Sequence, residues 1–526
     1  GVLVKSDLNA GGEAYFNFFE PEDGLLEDLN YGAYATGASN IVSTYSFRAL
    51  DTAGELVLPG VIAGGDIIIA AAEPNPADTL IHVIGITEIL SLGDIDVLTN
   101  GNITLTEKMG DMRVERIKST ANDVLLYSPM RILDARDDAG VGVEADVSAE
   151  NITLVAGTGL VNPPGTPEDP MGYDDGSLFG GIGVANNYLE IDVDVRPGFS
   201  PVGVLRAFDT TAEWTAGIFI DEVLSDLHVH TVITDADVSL RTVGGSILDA
   251  RDDDDANVLA QTIDLDANGV GSSIGEYDND FEIDSRIGSA VNVDDVSLEA
   301  TQDIYLTETD SNLRLVLAHT YTGDIRLTVR ESGDLDEDLY LLAMGEAQFA
   351  EGNESNPTYD PDALRDVTHG QIFAEGGSVL LRVGDDIDLH SNSEILALKD
   401  INIYGDIFVS KKAQISLKSI RGSISIFGSI YADFGFVDVI VDRIDTENAT
   451  FFSSSSAIEH EGFLFNPLPI WGLRQHLESN YYSSGSFSIT DSRSGSTLTL
   501  VPIPASILLF ISALLPLFVR NKKYRG

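Results

Sequence analysis

The chain has 526 residues, 43% of them hydrophobic, and 30 Lys and Arg against 85 Asp and Glu give it a formal net charge of −55. This length exceeds the roughly 250–300 residues at which single cores stop growing, so we expect several domains or an elongated repeat stack. The negative charge repels phosphate backbones and argues against nucleic acid as a partner. The absence of cysteine excludes disulfides, thiolate metal sites and thiol nucleophiles.

Residues 1–64 are predicted to form an amino-terminal β-rich segment or cap. The chain opens on Gly1 without a basic-then-apolar leader, so we expect either a processed signal peptide or a piece of a longer protein. From about 65 to 445, short segments alternate Ile, Val or Leu with polar residues, which is typical of half-buried strands. This alternation predicts that the following side chains point inward: Ile103, Leu105, Val124, Ile304, Leu306, Ile387 and Leu389.

These strands recur about every ten residues, which leaves no room for the crossover helices of a doubly wound α/β sheet. The heptapeptide ILDARDD occurs at 132–138 and again at 247–253, an offset of 249 − 134 = 115 residues. The repeat copies are predicted at about 97–192, 210–284, 300–330 and 370–445. A propeller is the weaker reading, because no blade period is found. We therefore predict an all-β fold, a right-handed parallel β-helix (β-solenoid) with loop insertions.

The order of parts in each copy carries a resemblance. A segment such as GNITLTE is followed by DMRV, a D-V-x-L strand, ILDARDD, a Gly-rich turn and LEID. This order resembles the degenerate repeats of large filamentous-haemagglutinin-like bacterial exoproteins over about 97–330, and more loosely over 370–445. The resemblance implies a secreted adhesin with a β-helical shaft.

After a Ser- and aromatic-rich cap or linker at 446–497, residues 498–526 are predicted to form a membrane-spanning sorting tail. Residues 500–519 carry no charge, and about 20 such residues cross a hydrocarbon core as a transmembrane helix. The basic cluster after this segment should stay cytoplasmic by the positive-inside rule. That cluster consists of Arg520, Lys522, Lys523 and Arg525.

The tail resembles the sorting signals that exosortases process, of the Pro-Glu-Pro carboxyl-terminal (PEP-CTERM) type, in the variant that begins VPLPA. The matching residues are Val501, Pro502, Ile503, Pro504 and Ala505, with Ile503 in place of the usual Leu or Glu. The resemblance implies an exosortase-like processing enzyme as a partner, removal of the tail and transfer of the mature protein to the outer surface.

Aspartates in the repeated turns are the candidate chemical groups. Several β-helical families use clustered Asp in polysaccharide lyases and hydrolases, but recurrence in two copies favours a structural corner over a catalytic centre. Their hard oxygens also suit weak calcium binding, although no EF-hand or β-roll spacing is present, and no other cofactor is indicated. The candidate calcium residues are Asp134, Asp137, Asp138, Asp249, Asp252 and Asp253.

Two functions remain open from the sequence. The first is a non-catalytic, surface-displayed structural or adhesive exoprotein of a Gram-negative bacterium, with a surface polysaccharide or a host or neighbouring cell as its ligand. Its location would be the cell surface, the outer membrane or the extracellular space, with a membrane-spanning terminus. The alternative is a carbohydrate-active β-helix enzyme, which a cleft of three or more carboxylates would favour.

Overall fold

The computed structural model divides the chain into two compact units, Gly1–Leu313 with Gln348–Leu364, and Arg314–Ala347 with Arg365–Gly526. The structure describes side chains in part of the chain, and elsewhere it describes only the bounds of the strands. Side chains are described for residues 94–107, 110–136, 144–157, 180–196, 202–211, 215–285, 295–310, 312–331, 337–343, 370–389, 392–408, 413, 415–422 and 424–427.

The first unit is built from short strands. Its strands are β1 (Val2–Leu3), β2 (Leu8–Ala10), β3 (Ala14–Phe18), β4 (Ser43–Phe47), β5 (Gly54–Ala63), β6 (Ile67–Ala71), β7 (Ile81–Ile89), β8 (Ile95–Thr99), β9 (Ile103–Glu107), β10 (Met112–Ser119), β11 (Val124–Tyr127), β12 (Ile132–Asp134), β13 (Val147–Ala149), β14 (Ile152–Ala156), β15 (Gly180–Ile182), β16 (Leu189–Val193), β17 (Leu205–Asp209), β18 (Thr215–Glu222), β19 (Leu227–Ile233), β20 (Val238–Thr242), β21 (Ile247–Asp249), β22 (Val258–Leu259), β23 (Ile263–Ala267), β24 (Phe281–Asp284), β25 (Asp295–Ala300) and β26 (Ile304–Glu308).

The second unit, which begins within β27, has the same character. Its strands are β27 (Leu313–Thr320), β28 (Ile325–Val329), β29 (Leu339–Leu341), β30 (His369–Ala374), β31 (Val379–Leu389), β32 (Asn392–Ala397), β33 (Ile401–Val409), β34 (Gln414–Ser419), β35 (Ile424–Phe427), β36 (Ile430–Ala432), β37 (Phe436–Val441), β38 (Tyr481–Ser483), β39 (Ser486–Asp491) and β40 (Ser496–Leu500).

Parallel pairing dominates the described strands, and the fold is all-β. Strand β9 pairs with β11, β11 with β14 and β14 with β17, so the chain returns to the same place after intervening strands. In the second unit β28 pairs with β31, β31 with β33 and β33 with β35 in the same way. Among the described pairs of strands, only β39 with β40 is antiparallel. Such pairing is consistent with the predicted β-solenoid.

Register places one inward side chain over the next. Ile103 pairs with Val124, Val124 with Ile152 and Ile152 with Leu205, and all four side chains are buried. Each buried Ile, Leu or Val contributes roughly 1.5–3 kcal/mol, so these stacks supply the core that the chain cannot obtain from disulfides. All seven side chains predicted to point inward are at most 1% exposed, which confirms the prediction of alternation.

A second stack is polar and lies just before the strands. The backbone N–H of Asp123 donates to Asn102 Oδ1 at 3.2 Å, that of Asn151 to Asp123 Oδ1 at 3.3 Å, and that of Val204 to Asn151 Oδ1 at 3.1 Å. Each turn side chain therefore caps the turn of the next coil. We call this arrangement the turn ladder.

The turn ladder recurs in both units. In the first, Ser246 N–H donates to Asp226 Oδ1 at 2.7 Å and Ser273 N–H to Ser246 Oγ at 3.1 Å. In the second, Ser378 N–H donates to Asp324 Oδ1 at 2.7 Å. The acidic and polar residues that precede many strands thus have a structural role, since they satisfy backbone N–H groups at the corners.

No helix in the described part of the chain is long and apolar enough to cross a membrane. Residues 501–526 lie outside the described residues, and with them the sorting motif, the basic cluster and all but the first residue of the charge-free segment. The membrane-spanning tail and the domain boundaries therefore stay predictions.

A substitution that places a charge in the apolar stack should unfold the surrounding coils. Ile103→Asp should destabilise by roughly 3–5 kcal/mol, because the carboxylate gains no partner in a dry core. Limited proteolysis and thermal denaturation of the full chain would measure this. The matched control is Thr104→Asp, whose side chain points outward on the same strand. Equal protease sensitivity of the two variants would contradict an inward Ile103.

Candidate functional site

The two ILDAR segments place Asp134 and Asp249 at equivalent strand ends. Both are nearly buried, at 4% and 8% exposure, and close β12 and β21 respectively. Asp252 and Asp253 are exposed, while Asp137 and Asp138 lie outside the described residues. The six predicted calcium residues therefore do not form one group in the part of the chain that is described.

The Asp249 carboxylate is surrounded by N–H donors, and we call this the second corner. Backbone N–H groups of Arg251 and Asp252 donate to it at 2.9 and 2.7 Å. The side-chain amide of Asn257 donates to Oδ1, and that of Asn279 donates to Oδ2 at 3.0 Å. Through these bonds Asp249 holds the turn in place. Within this turn Asp252 adopts a positive φ of 52°.

The first corner, around Asp134, repeats part of this arrangement. Arg136 N–H donates to Asp134 Oδ1 at 2.7 Å, as Arg251 N–H does to Asp249. Asn187, however, donates its amide to the backbone oxygen of Asp134, at 3.4 Å. Its counterpart Asn279 donates to the carboxylate instead.

The main difference between the corners is one residue. In the second corner, the backbone N–H of Glu282 donates to Asn257 Oδ1 at 3.0 Å. In the first, the backbone N–H of Glu190 donates to Asp146 Oδ2 at 3.2 Å, so Asp146 occupies the position of Asn257. A carboxylate accepts hydrogen bonds but donates none when ionised, so Asp146 cannot replace the amide that closes the second corner.

Three carboxylates meet at the first corner, and we call Asp134, Asp146 and Glu190 the acidic triad. One oxygen from each lies within 4.8 Å of the others, and the residues are 4%, 0% and 0% exposed. Arg136 Nη2 contacts Asp146 Oδ1 at 2.6 Å. Neither carboxylate oxygen of Glu190 receives a hydrogen bond from a described donor.

Crowding in the triad changes its proton affinity. Burial and then the charge of Asp134 raise the pKa of Asp146 to about 7, although Arg136 acts in the opposite direction. Burial, then a hydrogen bond shared with the Asp146 carboxyl and the charge of that carboxyl, raise the pKa of Glu190 to about 10. Both shifts favour the protonated carboxyl over the carboxylate, because a buried carboxylate is poorly solvated.

The triad interrupts a column of charges that stack from coil to coil. Asp96 is paired in register with Arg116, and their side chains form a salt bridge of 2.8 Å. Further along, Glu190 is in register with Asp221, whose salt bridge of 2.6 Å is to Arg241 in the next coil. Glu190 thus stacks beside an acid that another residue already neutralises.

A groove of about 700 Å³ crosses the outer face of β11, β14, β17 and β19. Its lining combines hydrogen-bond donors with a few carboxylates, and His228 and His230 lie on the same side of β19, as their spacing predicts. Burial, and then the charges of Arg206 and Arg251, lower the pKa of His230. The lining residues are Asp123, Val124, Leu125, Asn151, Thr153, Val202, Val204, Arg206, His228, His230, Asp249 and Ala250.

The second unit has its own acidic group, around Asp386. Asp386 is in register with Asp406, and its backbone N–H donates to Asp338 Oδ1 at 3.1 Å. Burial, followed by the charges of Asp338 and Asp406, raises the pKa of Asp386 to about 6. Nearby Glu331, Glu337 and Asp385 also approach one another, but two of these three are exposed to water.

Sequence reasoning selected Asp134 and missed Asp146 and Glu190. Glu190 sits in LEID as a polar residue of an alternating strand, which reads as solvated, yet both faces of β16 are buried. The available signal was the comparison of copies. In the second copy, Asn257 precedes the FEID strand. In the first copy, Asp146 precedes the matching LEID strand.

If Asp249 organises its turn, then Asp249→Ala should destabilise the chain by roughly 1–3 kcal/mol, because several N–H groups lose their acceptor. The loss of melting temperature should be the same in calcium and in a chelator. Asp235→Ala, which removes an exposed carboxylate outside the corner, serves as the control. A loss seen only in calcium would show that Asp249 is a ligand.

Asp386→Asn should raise the melting temperature above pH 6. The raised pKa means that the folded state holds the Asp386 proton more tightly than the unfolded state, whose pKa is near 3.8. Stability from this group is therefore complete below about pH 3.8 and is lost as the pH rises to about 6. Thermal denaturation between pH 4 and 8 measures the effect, with the exposed Asp235→Asn as control. A gain of equal size at every pH would refute this assignment.

Comparison with known proteins adds no relative. No protein-family model matches the chain, no curated protein matches it and no solved structure matches it. The functional argument therefore rests on the residues and contacts described above.

Proposed function

We propose that the chain is a non-catalytic, surface-displayed structural or adhesive exoprotein of a Gram-negative bacterium. Its shaft is a right-handed parallel β-helix, and its loop insertions leave the shaft at the corners. The observation that carries this proposal is the repetition of register, apolar stack and turn ladder from coil to coil. Such a stack gains surface by adding coils, which suits a structural or adhesive role outside a cell.

The charge distribution supports a role outside the cell. A net charge of −55 favours solubility and discourages self-association. Stability that comes from backbone ladders and packing, without any cysteine, does not depend on a redox compartment. The resemblance to filamentous-haemagglutinin-like repeats agrees with this role.

The groove on the first unit is the proposed contact site for a surface polysaccharide or another cell-surface ligand. Arg206, His228 and Asn151 offer donors and acceptors to sugar hydroxyl and carboxylate groups in an otherwise acidic protein. The carbohydrate-active enzyme receives less support. The three clustered carboxylates are almost fully buried, so a polymer does not reach them, and Asp249 at the edge of the groove is engaged by N–H donors.

Export would use the carboxyl-terminal tail. The charge-free segment 500–519 would insert in the membrane, with Arg520 and the other basic residues held on the cytoplasmic side. Pro502 and Pro504 disfavour a helix before Ala505, so the motif would remain extended and accessible to an exosortase-like enzyme. The anchor would then be transient.

Surface display and processing make separate predictions. Protease treatment and antibody labelling of intact cells should detect the protein outside, and mass spectrometry of that material should find a chain that ends before about Ser506. Truncation after Leu500 should abolish display or release the protein into the medium. Surface protein that still ends in Arg525 and Gly526 would contradict processing. Protein confined to the cytoplasm would contradict the proposed function.

A further inference from the structure

The two corners differ in what satisfies their carboxylates. At the second corner, the amides of Asn257 and Asn279 donate to Asp249. At the first corner, Asp146 stands in place of the first amide, and Asn187 turns its amide to a backbone oxygen. The first corner therefore gathers acceptor atoms where its counterpart gathers donors.

Glu190 is the residue of the first corner whose carboxylate has the fewest donors around it. Both of its carboxylate oxygens are fully buried, and when the triad is ionised they receive no hydrogen bond from a described donor. Only a proton shared with the Asp146 carboxyl would supply one. Two other buried glutamates, Glu222 and Glu308, do not share this condition. Glu222 accepts backbone N–H groups at 2.9, 3.0 and 3.1 Å, and Glu308 accepts the Ser285 hydroxyl at 2.8 Å.

Charge counting gives the sign and size of the counter-ion that the ionised triad would accept. In the fully ionised state, which binding of a metal ion requires, Asp134, Asp146 and Glu190 bring three negative charges, and Arg136 contributes one positive charge through Asp146. The excess is two negative charges, 3 − 1 = 2, in a place without solvent. Arg241 is already engaged with Asp221 in the adjoining layer and so does not remove this excess. One divalent cation would balance it.

We propose that the acidic triad of the first corner binds one calcium ion. Ligand oxygens about 2.4 Å from a calcium ion lie at most about 4.8 Å from one another, and the three triad oxygens satisfy that limit. The ligands are carboxylates only, without nitrogen or sulfur, which selects a hard cation over zinc or copper. The second corner binds no such ion, because its amides already occupy Asp249.

The test is calcium titration of the full chain, first stripped with a chelator, in enough salt to suppress diffuse binding to its acidic surface. Isothermal titration calorimetry should find one saturable site per chain, and calcium should raise the melting temperature. Asp146→Asn copies the second corner into the first. It should reduce calcium affinity at least about tenfold and abolish the calcium-dependent rise in melting temperature, while leaving the chain folded in chelator.

The matched control is Asp235→Asn, which removes one exposed carboxylate and should keep both the site and the shift. A wild-type chain without a saturable site, or an Asp146→Asn variant with unchanged affinity, would overturn the proposal. Were Asp146→Asn to misfold, a crystal of the wild-type chain grown in millimolar calcium would decide the question. Difference density bonded to the three carboxylates supports the site, and an empty triad with a carboxyl-to-carboxyl hydrogen bond refutes it.

Discussion

Parallel pairing in register is the constraint on which the rest of this structure depends. Because each residue lies about 4.8 Å from its counterpart in the next coil, every side chain meets a neighbour of the same position rather than a complementary one. This register stabilises apolar positions, because each apolar side chain packs on another one, as in the stack of Ile103, Val124 and Ile152. The register also stabilises short polar side chains in the turns. Asp123 accepts the backbone N–H of Asn151 in the next turn and donates its own backbone N–H to Asn102.

Charged positions respond differently to the same constraint. Like charges stacked at this distance repel, so a column of acids needs either basic partners or water. Arg116 and Arg241 supply partners to Asp96 and Asp221, each from the adjoining coil. Asp386 in the second unit has acids in register on both sides, and its raised pKa is the consequence. In the acidic triad the carboxylates repel one another in the same way, and they are buried from water.

The inward residues could be predicted from the sequence because alternation is a local property, and Ile304, Leu306 and Ile387 are buried as predicted. The sequence also indicates the Asp- and Asn-bearing turns of the turn ladder. It does not indicate that their side chains accept the backbone N–H groups of the next turn. Glu190 and Asp146 could not be found in this way. They are brought together by pairing of β13 with β16 across 44 residues, and local alternation says nothing about what covers the outer face of a strand.

Repetition of a motif is evidence about the backbone before it is evidence about chemistry. ILDAR folds alike in both copies, and for Asp249 this supports the structural reading, since its carboxylate is satisfied within its corner. The same inference does not extend to Asp134. Its surroundings include Asp146, which lies outside the motif and differs in charge from its counterpart Asn257. One corner of a repeat can therefore be purely architectural while its copy, which shares the ILDAR strand, brings three carboxylates together.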